Sequence, residues 1–153
     1  VEGERVPVRE LLDEIIGNQA LPPGSQLLLS PELPVLFTGR LPLYQVFDNL
    51  VSNAIKYNDK KHPQLAVWHE EKPEHYVFFV QDNGPGISPA YHGKIFQIFQ
   101  TLQTAESPGS TGVGLAIVKK ILDARHEAIY VSSQDGLGTT FSFTWKKQST
   151  WKK

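Results

Sequence analysis

The chain has no cysteine and no methionine among its 153 residues. Without cysteine there is no disulfide framework, no thiolate nucleophile and no cysteine-based metal site, a composition compatible with the cytosol. Without a methionine even at position 1, the chain reads as a piece cut from a longer protein. Net charge is also scarce: 15 Lys and Arg against 16 Asp and Glu leave −1, which supplies no electrostatic case for nucleic acid or an anionic membrane surface. No apolar run approaches the roughly 18 to 20 residues of a membrane span, and no signal peptide is visible. What is present, 40% hydrophobic and 20% charged residues, is ordinary globular composition for one domain over 1–153.

Periodicity places the elements. Val8, Leu11, Leu12, Ile15 and Ile16 have the 3–4 spacing of an amphipathic helix over 8–16, started at Pro7 and stopped at Gly17-Asn18. Short strands are predicted at 26–30 and, edge-like because of its prolines, at 32–37. A helix over 41–57 carries Leu43, Phe47, Leu50 and Ala54 on one stripe. A turn at 58–63 leads to a hairpin of strands 65–69 and 76–81. A short helix over 90–99 carries Tyr91, Ile95, Phe96 and Phe99, and the polar segment 101–111 has the character of a lid. A helix over 112–126 and a hairpin of strands 129–133 and 139–145 follow, and the basic tail 146–153 is predicted to fray.

Three features do not suit a plain core or surface. In VQDNGPGI, 80–87, Asp82 ends a buried strand, where a carboxylate is costly unless something donates to it. On the 41–57 helix, Asn49, Asn53 and Lys56 lie within an arc of roughly 60° beside the apolar stripe, and asparagine is a poor helix former. Gly109, Gly112 and Gly114 open the next helix, where free N–H groups and the positive dipole end favour an anion. Each has a plain reading when taken alone: surface polar residues that happen to align, or a simple glycine turn. Their spacing matches neither the dinucleotide fingerprint nor a Walker A loop. Together they describe a Mg·ATP site. Asp82 accepts from the adenine 6-amino group, where guanine would present a repelled oxygen. The helix start holds phosphates, Asn53 supplies one carboxamide oxygen to Mg²⁺, and Lys56 neutralises phosphate charge.

Across essentially its whole length the chain resembles the ATP-binding catalytic domain of sensor histidine kinases, within the GHKL superfamily of gyrase, heat-shock chaperone, kinase and mismatch-repair ATPases. The motifs stand in family order: NLVSNAIKY (49–57), DNGPGI (82–87), IFQIF (95–99), STGVGLAIVKKI (110–121) and GLGTTF (136–141). The segment IFQIFQTLQT is similar to phytochrome-like and other soluble sensor kinases. The resemblance implies an α+β fold: a two-layer α/β sandwich, with a mixed, mostly antiparallel sheet of about five strands and three main helices on one face. It implies Asn53 as the magnesium ligand, Asn49 on the phosphate side, and Lys56 and Tyr57 near the phosphates and lid. Asp82 becomes the adenine reader, with Gly84 and Gly86 shaping the pocket floor against the purine and Ile87 beside them. Phe96 and Phe99 anchor the lid, and Gly112, Val113, Gly114 and Leu115 form the hinge and phosphate-binding helix start. Thr140 matches a hydroxyl position near Asp82.

Some positions depart from the family pattern. Ser110 replaces a glycine, and Thr101 stands where many members carry an arginine reaching the γ-phosphate, so that Lys94 or Lys56 would have to serve. His126-Glu127-Ala128 replaces His-Gly-Gly, at a cost of about 1 kcal/mol if a non-glycine residue is held at positive φ. Asn49 stands where the hydrolytic branches carry a glutamate general base, and an amide cannot take that proton. The expected reaction is therefore phosphoryl transfer to a histidine on a separate, dimeric helical phosphoacceptor domain upstream, with slow hydrolysis. A response regulator receiver domain is the expected second partner, with no nucleic acid or direct membrane contact and a cytoplasmic location for the domain. His62, His69, His75, His92 and His126 lack the phosphoacceptor context and read as surface residues. The alternatives are a nucleotide-binding regulatory module without transfer, supported by Thr101 and Ser110, and an ATP-driven clamp, which Asn49 disfavours.

Overall fold

A computed structural model describes residues 3–87, 113–134 and 136–147. The helix and lid expected over 90–111 lie outside these residues, as does nearly all of the tail. In chain order the elements are β1 (Glu4–Pro7), α1 (Val8–Gly17), β2 (Gln26–Leu29), β3 (Val35–Thr38), α2 (Arg40–Lys56), β4 (Gln64–Glu71), β5 (His75–Asp82), α3 (Val113–Ala124), β6 (Ile129–Gln134) and β7 (Gly138–Lys146). The main sheet has five strands in the order β2-β4-β5-β7-β6. Only β2 runs parallel to its neighbour, β4; the other pairs are antiparallel. This is the mixed, mostly antiparallel sheet that the family resemblance implies.

Strand alternation sends one set of side chains toward the helices. Leu65 and Val67 of β4, Phe78 and Val80 of β5, and Phe141, Phe143 and Trp145 of β7 are buried there. They meet Leu43, Val46, Phe47, Leu50, Val51 and Ala54 of α2, and Leu115, Val118 and Leu122 of α3. Phe47 sits at the centre, edge-on to Phe78 at 5.4 Å and to Phe143 at 5.2 Å between ring centroids. Edge-to-face pairs at this range add about 0.5–1.5 kcal/mol each to the burial itself. The predicted apolar stripe of α2 is thus the contact that fixes its rotation. That rotation leaves Asn49 and Asn53 half-buried at the margin of the core rather than in it.

One feature had no counterpart in the sequence reading. Strand 35–38 does not join the main sheet; it pairs with β1 in a separate antiparallel ribbon, Glu4 opposite Thr38 and Pro7 opposite Val35. β1 is four residues long, ends in proline and buries only Val6, so it carries no readable alternation. Thr38 ties the ribbon to the sheet. Its hydroxyl accepts from Trp145 Nε1 at 3.1 Å and from Arg125 Nη2 at 3.3 Å, while the Arg125 guanidinium lies 4.2 Å from the Trp145 ring centroid.

Candidate functional site

β5 delivers Asp82 to the end of the sheet, and the donors it needs come first from its own chain. The Gly84 N–H donates to Asp82 Oδ1 at 2.8 Å. Burial pushes the Asp82 carboxyl above its ordinary value of 3.8; the Gly84 and Thr139 backbone N–H groups and the Lys60 charge pull it back, and Asp59 adds to the rise. A half-buried carboxylate held, among the described residues, by backbone donors and raised by desolvation retains acceptor capacity for an exocyclic amine.

Thr140 is not beside Asp82. The residue opposite Asp82 in the β5–β7 register is Thr139, and Thr139 is buried at 4% exposure. Thr140 pairs with Gln81, and its hydroxyl accepts from Gln81 Nε2 at 2.9 Å on the other face of the sheet. The one-residue slip matters because the side-chain period of a strand is two. Thr139 is the hydroxyl at the site, within 3.4 Å of Ser133 Oγ.

The loop after Asp82 is clamped from both sides. Gly86 has φ of +85°, and a Cβ there would lie 2.4 Å from the Gln134 carbonyl oxygen. Its glycine is thus required by its own backbone and by β6, apart from any purine. Gly136 N–H donates to the Pro85 carbonyl at 2.6 Å, and Ile87 N–H donates to Ser133 Oγ at 2.6 Å. On the opposite side Gly84 packs on the end of α2: a Cβ there would be 3.4 Å from Asn58 Cα and 3.5 Å from the Tyr57 carbonyl oxygen. Lys60 Nζ donates to the Gly84 carbonyl at 3.0 Å. The end of α2, with exposed Lys56 and half-buried Tyr57, therefore lies against the loop that Asp82 begins.

The start of α3 meets α2 at Asn49. A Cβ on Gly114 would lie 2.8 Å from Asn49 Oδ1, so glycine there lets the first turn of α3 approach the carboxamide closely. Asn49 Nδ2 donates to the Gln45 carbonyl at 2.7 Å, which orients the oxygen toward α3. Leu115 is buried at 7% and roots that turn in the core. α2 thus carries both contacts, Asn49 with Gly114 in its middle and Tyr57 with Gly84 and Asp82 at its end. Phe96, Phe99 and Gly112, with Lys94, Thr101 and Ser110, lie outside the described residues, as does the Val113 side chain.

The other departures resolve differently. The positive φ at the end of α3 falls on His126, at +59°, and not on Glu127 or Ala128. Glu127 N–H reaches the Leu122 carbonyl at 2.8 Å and His126 N–H the Asp123 carbonyl at 3.0 Å, the paired bonds of a Schellman cap. The Glu127 side chain is 4% exposed; it accepts from the Thr144 hydroxyl at 2.6 Å and from Lys146 N–H at 2.9 Å. Among the histidines, His62 and His126 are exposed and His75 half-buried, whereas His92 is outside the described residues. His69 is no simple surface residue: its ring packs 5.6 Å from Tyr76 and 6.0 Å from Phe78, and its Nδ1 is buried.

Among the described residues no group of three or more His, Cys, Asp or Glu could cage a metal. The donors present at the α2 margin are carboxamides, hard oxygen ligands but few. That set is compatible with Mg²⁺, which takes few protein oxygens and would be held mostly by phosphate oxygens and water; half-buried Asn53 is the residue that would supply the protein oxygen. It does not fit an all-protein site.

A family model described as histidine kinase-, DNA gyrase B-, and HSP90-like ATPase matches residues 38–149. Cyanobacterial phytochrome A of Nostoc sp. is 40% identical over 140 residues, covering 90% of this chain and 18% of the relative. The methanogenesis regulatory histidine kinase FilI of Methanothrix harundinacea is 38% identical over 122 residues, covering 79% of this chain and 14% of the relative. The chain therefore spans less than a fifth of the length of either relative. In fold it is similar to the mycobacterial sensor histidine kinase MprB, with a TM-score of 0.75 at 22% identity over 94% of this chain and 97% of that one. Full-length ShkA, solved in complex with AMPPNP, gives 0.77 at 26% identity over 94% of this chain and 31% of that one. The chain belongs to the histidine kinase-, DNA gyrase B- and HSP90-like ATPase family, and its relatives place it with the sensor histidine kinase catalytic domains.

Proposed function

We propose that the chain binds Mg·ATP and donates the γ-phosphoryl group to a histidine on a separate dimeric phosphoacceptor domain, within two-component signalling. The supporting observation is that one helix carries both contacts: the Asp82–Gly84 loop packs on the end of α2, and the start of α3 packs on Asn49 two turns earlier. Asp82 accepts the adenine amine beside the donors it already has, and Thr139 stands opposite it on β7. The glycines keep the backbone close. Asn53 holds Mg²⁺, which when bound offsets phosphate charge; Lys56 and the α3 start face the same phosphates. Asn49 orients without taking a proton, which leaves attacking water without a base and favours transfer over hydrolysis. A response regulator receiver domain would take the phosphoryl group from the histidine.

The test combines the chain, a dimeric helical hairpin bearing its phosphoacceptor histidine, and Mg·ATP labelled at the γ position. Acid-labile, base-stable label on the hairpin is the expected result, and Asn53→Ala removes it. Nucleotide binding without label would favour a regulatory module, and fast release of free phosphate an ATP-driven clamp.

A further inference from the structure

Asn83, between the base reader and the first glycine of its loop, is a hub that this reading of the site leaves unused. Its Oδ1 accepts from Asn58 Nδ2 at 2.8 Å and from the Gln64 N–H at 2.8 Å; its Nδ2 donates to the His62 carbonyl at 3.1 Å. One half-buried carboxamide thereby gathers both ends of the turn that follows α2. The Asn58 side chain closes that turn from within, its Oδ1 accepting from the Lys60 N–H at 2.8 Å. Lys60 in turn reaches the Gly84 carbonyl. Asp82 takes its hydrogen bonds from outside this set, from the Gly84 and Thr139 N–H groups, and feels the set only through the Lys60 charge.

We infer that Asn83 is a positioning residue that latches the end of α2, with Lys56 and Tyr57, to the base-reading strand, so that seating the adenine fixes the phosphate-side groups. The inference rests on the Mg·ATP reading of the site. Its chemical consequence is selective. Without the latch the base still finds Asp82, but Lys56 and Tyr57 sample more positions before meeting the phosphates, and that ordering cost falls on the triphosphate alone.

The experiment measures Mg·ATP and adenosine binding calorimetrically to the whole chain, with melting temperatures recorded alongside. In Asn83→Ala, ATP affinity falls about tenfold while adenosine affinity changes less than about twofold, a loss of roughly one well-placed polar network bond. Asn58→Ser, which is neutral, keeps a hydroxyl acceptor for the Lys60 N–H and loses the donor to Asn83. It shows a smaller loss with the same selectivity and keeps the test alive if Asn83→Ala folds poorly. Unchanged ATP affinity in both variants, or ATP and adenosine affinities that fall by the same factor as stability drops, would overturn the latch. A wild-type chain that binds ATP no better than adenosine, or binds it equally well after Asp82→Asn, would instead defeat the site reading beneath it.

Discussion

Asp82 is buried enough that ionising it costs the fold, and a nucleotide site needs it ionised. Because burial holds its carboxyl above the ordinary 3.8, the folded chain keeps this proton to higher pH than the unfolded chain does. The sign is opposite to that of a salt-bridged aspartate. Asp82's contribution to stability is full below the ordinary value and is lost as pH rises through the raised folded value. The melting temperature of the unliganded wild type, relative to Asp82→Asn, is therefore expected to rise as pH falls through that window, while ATP affinity weakens over the same window. A difference between the two proteins that is flat with pH would contradict the assignment. At the same scale, the strand register makes a paired prediction. Thr139→Val weakens ATP binding about fivefold, the loss of roughly 1 kcal/mol of hydrogen bonding, and Thr140→Val leaves it unchanged, as titration calorimetry can show. The sequence pointed to the neighbour because TT reads alike at either position; only the partner strand says which hydroxyl faces Asp82.

Among the elements, α2 was the most legible and the ribbon of β1 and β3 the least. The stripe Leu43, Phe47, Leu50 and Ala54 announces itself at helical spacing, and the structure buries all four. The asparagine face follows from it by rotation alone. β1 has four residues, one of them buried, and no pattern to read. Ser133 was also invisible in sequence, because its importance comes from Ile87, 46 residues away, and not from its own strand. The end of α3 was half-read: the missing glycines are visible, but which residue takes the left-handed conformation is decided by the cap bonds. His126 takes it at +59°. His126→Gly is expected to stabilise the chain by about 1 kcal/mol, seen as a higher urea midpoint at unchanged slope. An unchanged or lower midpoint would mean that the exposed imidazole contributes more than its backbone costs.

At the scale of the molecule, the sheet brings together segments far apart in sequence. β5 supplies Asp82, the end of α2 lies against its loop, α3 begins at Asn49, and the turn between β6 and β7 closes the far side. A Cβ on Gly138 would lie 2.0 Å from the Asp82 carbonyl oxygen, so that turn is seated directly on the end of β5. The motif order in the sequence announced this convergence; the latch through Asn83 and the clamp through Ser133 are tertiary and could be seen only once the turns were placed. The central claim is that this convergence reads adenine. Equilibrium binding of Mg·ATP and Mg·GTP, to wild type and to Asp82→Asn, tests it most directly. The account predicts that wild type binds ATP and rejects GTP, and that Asp82→Asn loses ATP binding. Equal binding of the two nucleotides, or ATP binding that survives the substitution, would contradict it.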